Sequence, residues 1–102
     1  MARRSKFEVL INVMRVVAEG RTVRRTHVMY GANLAWKVLI QSLGILEQNG
    51  MLESRATPSG VFVSLTSDGY SVLQKYIEIE TAFNRSDAGG RLSTGLMMNL
   101  MN

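Results

Sequence analysis

The side chains with the clearest capacity for chemistry in this chain are the basic ones near its N-terminus. Residues 1–25 contain seven Arg or Lys side chains against two carboxylates, a net charge of +5, whereas all 102 residues together carry +4. Guanidinium and ammonium groups concentrated in one segment suit a polyanion partner. A solvated basic surface would have the same composition. We predict phosphate contacts for five of these residues, Arg3, Arg4, Lys6, Arg24 and Arg25.

Groups that catalyse reactions or hold metals do not form a recognisable set. The chain has no Cys and one histidine, His27, which has no motif partners, so neither a disulfide nor a zinc site is expected. Neither a glycine-rich phosphate loop nor a Ser, His and acid arrangement is present. We therefore predict that the protein is not an enzyme and uses no cofactor or metal.

The apolar residues indicate one folded domain outside the membrane. They make up 46% of a chain whose length allows one core. No apolar run approaches the roughly 18 residues that a membrane span needs, and the N-terminus lacks the apolar stretch of a signal peptide. We expect a cytoplasmic protein with no membrane partner.

The first predicted helix begins at Ser5. Ser5 and Glu8 have the spacing of a capping box, in which each side chain bonds the other residue's backbone amide. Apolar residues then recur at helical spacing as far as Val17. Gly20 follows this series and is predicted to end the helix in the left-handed conformation.

A second, shorter helix is expected from about Thr22 or Val23 to Gly31. Thr22 would cap it, since a hydroxyl at this position can bond a free backbone amide. The following segment, residues 31–33, is Gly-Ala-Asn and suits the tight turn of a helix-turn-helix.

The third predicted helix, residues 34–49, is the candidate recognition helix. Its buried stripe is predicted to comprise Val38, Leu39, Leu43, Ile45 and Leu46. Its opposite side carries the candidate DNA-contacting residues Trp36, Lys37, Ile40 and Gln41. Lys37 and Gln41 lie one turn apart, where Gln suits adenine and Lys suits guanine or phosphate in a major groove. Trp36 would lie along a sugar-phosphate wall or, as a lone Trp more often does, pack beneath the turn.

Alternating apolar and polar residues next predict a β-hairpin, the wing. The segments 51–56 and 61–65 flank a turn in which Pro58 suits the second position. Arg55 and Phe62 are left facing outward, so Arg55 is a further candidate for a minor-groove or phosphate contact. A hairpin that serves only to close the core is the alternative.

Thr66 is predicted to cap a fourth helix that has two apolar faces. One face, Tyr70, Leu73 and Ile77, is expected to pack on the core. The other is expected to join two copies of the chain in a homodimer and comprises Val72, Tyr76, Ile79 and Phe83. The apolar tail, residues 92–101, could instead cover this second face. The predicted organisation is a winged unit in residues 1–66, a dimerisation helix in residues 67–85, and a glycine break with the tail in residues 86–102.

Several short motifs together resemble a known family. They are Arg4-Ser5-Lys6-Phe7-Glu8, the block 27–36 with its run Met29-Tyr30-x-Ala32-Asn33-Leu34, the pair Leu43 and Leu46 before Gly50, and Leu65-Thr66 with Gly69. Over roughly residues 3–80 the chain resembles the small basic archaeal winged-helix proteins that bind DNA as dimers joined by a C-terminal coiled coil. The resemblance implies a nucleoid-associated, chromatin or regulatory role without a cofactor.

These observations predict a mainly α fold with a small β-hairpin, a winged helix-turn-helix with an additional C-terminal dimerisation helix. The predicted function is binding of double-stranded DNA, as a transcriptional regulator or a nucleoid-associated protein. The recognition helix would enter the major groove, while the wing and the N-terminal arginines would contact the backbone. The alternative is a winged-helix module that binds proteins and not nucleic acid, because the fold serves both uses.

Overall fold

Four helices and a three-stranded antiparallel sheet form the described part of the chain. The computed structural model describes residues 4–89, and the side chains of residues 4–84. In chain order the elements are α1 (Lys6–Gly20), β1 (Thr22–Arg24), α2 (Arg25–Gly31), α3 (Trp36–Gln48), β2 (Leu52–Thr57), β3 (Gly60–Leu65) and α4 (Ser67–Gly89). The predictions for Arg3 and for the tail, residues 92–101, lie outside the described residues. The predicted fold class, a mainly α winged helix-turn-helix with a small β-hairpin, is confirmed, and β1 adds a third strand that was not predicted.

Helix α1 begins as its sequence predicts and ends differently. The Ser5 hydroxyl accepts from the Glu8 N–H at 3.1 Å, and the Glu8 carboxylate accepts from the Ser5 N–H at 2.8 Å, so the capping box is confirmed. The residue with a positive φ is Arg21, at φ 67° and ψ −64°, whereas Gly20 is the last helical residue. The prediction for Gly20 is therefore wrong. A Cβ at Gly20 would collide with the Val23 side chain, so glycine allows a close approach there.

The segment predicted to start the second helix is a strand. Thr22, Val23 and Arg24 pair antiparallel with Ser64, Val63 and Phe62 of β3, which gives the strand order β1-β3-β2. Helix α2 begins only at Arg25, and no side chain caps it. The local capping signal of Thr22 is overridden because β3 satisfies the backbone of this segment and the Val23 side chain is buried in the core.

The predicted wing is confirmed. Strands β2 and β3 pair from Leu52 opposite Leu65 to Thr57 opposite Gly60, with Pro58 in the turn between them. The Thr57 hydroxyl donates to the Gly60 carbonyl at 2.9 Å and stabilises the turn. Because side chains alternate along a strand, one face of the sheet carries buried residues such as Val63 and the other face lies outward.

The core lies between the three N-terminal helices, the inner face of the sheet and the start of α4. Its buried apolar residues are Ile11, Val13, Met14, Val17, Val23, Val28, Ala32, Leu39, Leu43, Leu46, Leu52, Val63, Leu65 and Leu73. The predicted stripe of α3 is confirmed for its three leucines. Val38 is 37% exposed, so its predicted burial is wrong. It is turned about 100° away from Leu39 around the helix, near the helix start.

Helix α4 is capped as predicted, since the Thr66 hydroxyl accepts from the Gly69 N–H at 3.0 Å. The predicted division of its apolar residues is only partly correct. Leu73 is buried and Ile77 packs on the core, but Tyr70 is 42% exposed.

The residues of the second predicted face of α4 also differ from one another in burial. Val72 and Tyr76, assigned to a face separate from the core, instead pack against it, whereas Ile79 and Phe83 are exposed. The earlier residues of α4 pack on the core and the later ones are exposed, because α4 contacts the core only through its first half.

Candidate nucleic-acid interface

Two arginines flank an aromatic ring on the outward face of the sheet. Arg24 in β1 lies opposite Phe62 in β3, and Phe62 lies opposite Arg55 in β2. The Arg24 guanidinium carbon is 5.4 Å from the centroid of the Phe62 ring, a cation–π distance. The strand pairing thus brings together two predicted phosphate-contacting residues that are 31 positions apart in the chain.

A second pair of a cation and an aromatic ring forms where α2 and α3 begin. Arg25 is the first residue of α2, and its guanidinium carbon lies 5.3 Å from the centroid of the Trp36 ring. Trp36 is 45% exposed, so the preferred expectation of core packing is wrong. The ring lies at the surface, at the first residue of α3 and beside Arg25.

The outer side of α3 carries the residues that were predicted to contact the DNA major groove. Lys37 and Gln41 are exposed one turn apart, and Ile40 beside them is partly buried. Lys6 and Gln41 line the same groove between α1 and α3. The predicted arrangement of Lys37 and Gln41 on one exposed side is therefore present in the structure.

Arg4 contacts the turn between α2 and α3. Its two terminal nitrogens donate to the carbonyl oxygens of Ala32 and Asn33, both at 2.9 Å. Asn33 has a φ of 55°, the left-handed conformation in which Asn is favoured among residues with a side chain. The Arg4 guanidinium thus holds the tight turn that precedes α3. The contact joins residues 28 and 29 positions apart, so local sequence patterns did not indicate it.

One carboxylate near this end of the molecule has a perturbed pKa. The pKa of Glu8 lies below its ordinary value of 4.5, first because the Ser5 backbone N–H donates to the carboxylate. The Ser5 side chain and the positive charge of Arg4 lower the pKa further. Among the described residues, no group of three or more His, Asp or Glu side chains is arranged to hold a metal ion.

A cluster that the sequence did not reveal connects α1 with α4. Arg15 forms an ion pair with Glu80, and the Tyr76 hydroxyl donates to the same carboxylate at 3.4 Å. The Tyr76 ring also contacts Phe7 edge to face, with 5.6 Å between centroids. This cluster positions α4 relative to the winged unit. Its residues are far apart in the chain, so no spacing rule could have found them.

The helix-turn-helix of α2 and α3, followed by a hairpin wing that pairs with β1, defines the winged helix class. The family model described as winged helix-turn-helix matches residues 3–83. The chain belongs to this family.

Known proteins similar to this chain include one curated relative and many solved structures. An uncharacterized protein of Methanocaldococcus jannaschii, MJ0287, is 33% identical over 51 residues, which span 50% of this chain and 52% of that protein. The chain therefore spans about half the length of this relative.

No helix among the described residues has the length and apolar character required to cross a membrane.

Two solved structures share the fold at low sequence identity. Sso10a-2, a DNA-binding protein from Sulfolobus solfataricus, superimposes with a TM-score of 0.66 at 22% identity, covering 91% of this chain and 97% of that one. The PcaV transcriptional regulator from Streptomyces coelicolor superimposes with a TM-score of 0.74 at 13% identity, covering 91% and 72%. At these identities the similarity establishes the fold.

Proposed function

We propose that this protein binds double-stranded DNA as a transcriptional regulator or a nucleoid-associated protein. The observation that carries the proposal is the set of guanidinium groups at Arg24, Arg25 and Arg55, each beside or near an aromatic ring, the partly exposed Phe62 or the exposed Trp36. None of the three forms an ion pair among the described residues. Cations left without protein carboxylates beside a recognition helix suit the phosphates that line a DNA groove.

In this proposal α3 enters the major groove, which is wide enough for one helix. Lys37 and Gln41 approach base edges, with Ile40 beside them. Arg25 and Trp36 lie against the sugar-phosphate wall at the start of the helix. Arg24 and Arg55 approach the backbone from the sheet, and Arg3, Arg4 and Lys6 add positive charge from the N-terminal segment. For Arg4 this contact would add to its bonds to the turn.

The proposal includes a homodimer formed through α4. Ile79 and Phe83 are 56% and 58% exposed, and Phe7 beside Tyr76 is 57% exposed. A second copy would cover these rings and apolar side chains, while Val72 and Tyr76 would support the contact from the core side. A two-fold axis would place two recognition helices on two half-sites.

The DNA-binding and regulatory roles named for Sso10a-2 and PcaV are consistent with this proposal. The fold also occurs in modules that bind proteins. One observation favours that second candidate: the outer side of α3 carries an exposed apolar residue, Val38, and the helix has one Lys and one Glu. Such a surface could contact a protein.

The test is a fluorescence anisotropy titration of labelled duplex DNA with the protein at about 50 mM salt, where phosphate contacts are strong. We expect binding that weakens on Arg25→Ala. Lys75→Ala is the matched control, because it removes an exposed cation from α4 and should leave the affinity unchanged. Absence of duplex binding at this salt concentration would reject the proposal and leave the protein-binding module.

A further inference from the structure

The outward face of the sheet has one residue that departs from its polar pattern. A sheet with one face on the core usually carries polar side chains on the other. The outward residues paired across the three strands follow this rule in the row Thr22, Ser64 and Glu53. The next row is Arg24, Phe62 and Arg55, with an aromatic ring at its centre. Phe62 is partly exposed and is absent from the core cluster.

The surroundings of Phe62 combine a ring face with positive charge. Residues directly opposite on neighbouring strands have Cβ atoms roughly 5 Å apart, so Arg24 and Arg55 flank the ring on both sides. Neither forms an ion pair among the described residues. The carboxylate on this face, Glu53, lies in the other row, so the row through Phe62 keeps two positive charges. Phe62, Arg55, the hydroxyls of Thr22 and Ser64 and the Glu53 carboxylate line one open depression, and Arg24 lies outside it across the Phe62 ring.

We propose that this face binds single-stranded nucleic acid by stacking an unpaired base on Phe62. Every nucleobase has a π-face, and stacking on an aromatic side chain is largely independent of the base. Arg24 and Arg55 would neutralise the phosphates on either side of the stacked base. The hydroxyls of Thr22 and Ser64 can donate hydrogen bonds to it or to its backbone.

This site differs from the proposed duplex interface in its central residue, Phe62, and in its ligand. The inner face of the sheet packs on the core with α3, so the outward face and the outer side of α3 are separate surfaces. A base within a duplex is stacked between its neighbours and does not present its face to a ring. Arg24, at the junction of β1 and α2, and Arg55 in β2 are the two residues that both proposed sites share.

The experiment compares wild type and Phe62→Leu in anisotropy titrations with labelled oligothymidylate and oligouridylate of about a dozen nucleotides, and with a duplex. Leucine retains an apolar side chain beneath Arg24 but removes the ring. We expect the affinity for at least one single strand to fall about 5- to 150-fold, the range that corresponds to one stacked base. Duplex affinity should fall much less, because Arg24, Arg25 and Arg55 all remain. Phe62→Tyr, which keeps the ring, should retain single-strand binding.

A matched variant on the other surface completes the design. Lys37→Ala with Gln41→Ala should weaken or redirect duplex binding and leave single-strand binding unchanged. The melting temperature of each variant verifies that it is folded. If wild type binds duplex poorly but single strands well, the proposed function fails and this inference stands.

Three results would overturn the inference. They are no binding of wild type to either single strand, single-strand binding that Phe62→Leu does not weaken, and equal losses for single strand and duplex. A direct readout of stacking is available if a tryptophan reporter is placed at the site. In a Trp36→Phe, Phe62→Trp variant, either oligonucleotide should quench the fluorescence, and unquenched emission on saturation would also reject stacking.

Discussion

Two exposed surfaces of this protein differ in chemistry and therefore in the kind of partner that each could bind. The arginine edge, defined here as Arg24, Arg25 and Arg55, presents cations that have no carboxylate partners among the described residues. The apolar end of α4, defined as Ile79 and Phe83, presents large side chains to water. The first surface suits a polyanion and the second suits another apolar surface.

The difference matters because salt acts on the two surfaces in different ways. Binding of cations to a polyanion releases counterions and weakens as salt rises. Burial of apolar area does not depend on counterions. The proposed DNA contact and the proposed dimer contact should therefore respond differently to salt concentration.

The largest expected effect is the salt response of the arginine edge. If two subunits together neutralise about 6–10 phosphates, duplex affinity should fall about 10³- to 10⁵-fold between roughly 50 and 200 mM salt. Anisotropy titrations over this range measure it, and sedimentation at the same salt concentrations should show an unchanged dimer. A flat salt response would remove the DNA proposal and the contrast between the surfaces.

The next effect concerns the apolar end of α4. Ile79→Ala with Phe83→Ala should give monomers and weaken duplex binding about 100-fold or more, because one half-site loses the avidity of the other. Sedimentation at micromolar concentration measures the assembly. Lys75→Ala, an exposed change on the same helix, should leave the dimer intact. A monomeric wild-type protein would contradict the dimer.

A smaller effect separates residues that position the protein on DNA from residues that recognise the base sequence. Arg25→Ala should weaken binding to all duplexes alike, whereas Lys37→Ala and Gln41→Ala should change the preference among sequences about 5- to 150-fold. Competition titrations with duplexes of different sequence measure the preference. If all three variants lower affinity uniformly, the protein binds by shape and charge, which favours packaging over specific regulation.

The smallest effect lies in the capping box of α1, outside both surfaces. The pKa of Glu8 is lowered in the folded protein. The ionised carboxylate therefore stabilises the fold at pH values above about 4.5, and this stabilisation is lost as the pH falls through the lower pKa of the folded state. Glu8→Gln keeps a capping side chain but should lack this acid-induced loss. Urea unfolding of both proteins between neutral and acidic pH measures the difference. Identical pH profiles would show that the carboxylate contributes nothing.

The sequence predicted well those features that depend on neighbouring residues. The Ser5 and Glu8 capping box, the Thr66 cap and the hairpin turn at Pro58 were each predicted correctly. The buried leucines of α3 were also predicted, since helical spacing alone places them on one side. The exposed side with Lys37 and Gln41 follows from the same periodicity.

Other features were decided by contacts between residues far apart in the chain. Thr22 has the chemistry of a helix cap, yet its segment became a strand because β3 offered an unpaired edge. Trp36 lies at the surface over Arg25, and Arg4 bonds the turn at Asn33. The ion pair of Arg15 with Glu80 joins residues 65 positions apart. Sequence by itself determined the presence of the four helices, the caps at Ser5 and Thr66 and the wing, because their signals lie within a few residues. The tertiary structure alone decided the third strand and the arrangement of arginines and rings, because strand pairing and helix packing bring distant residues together.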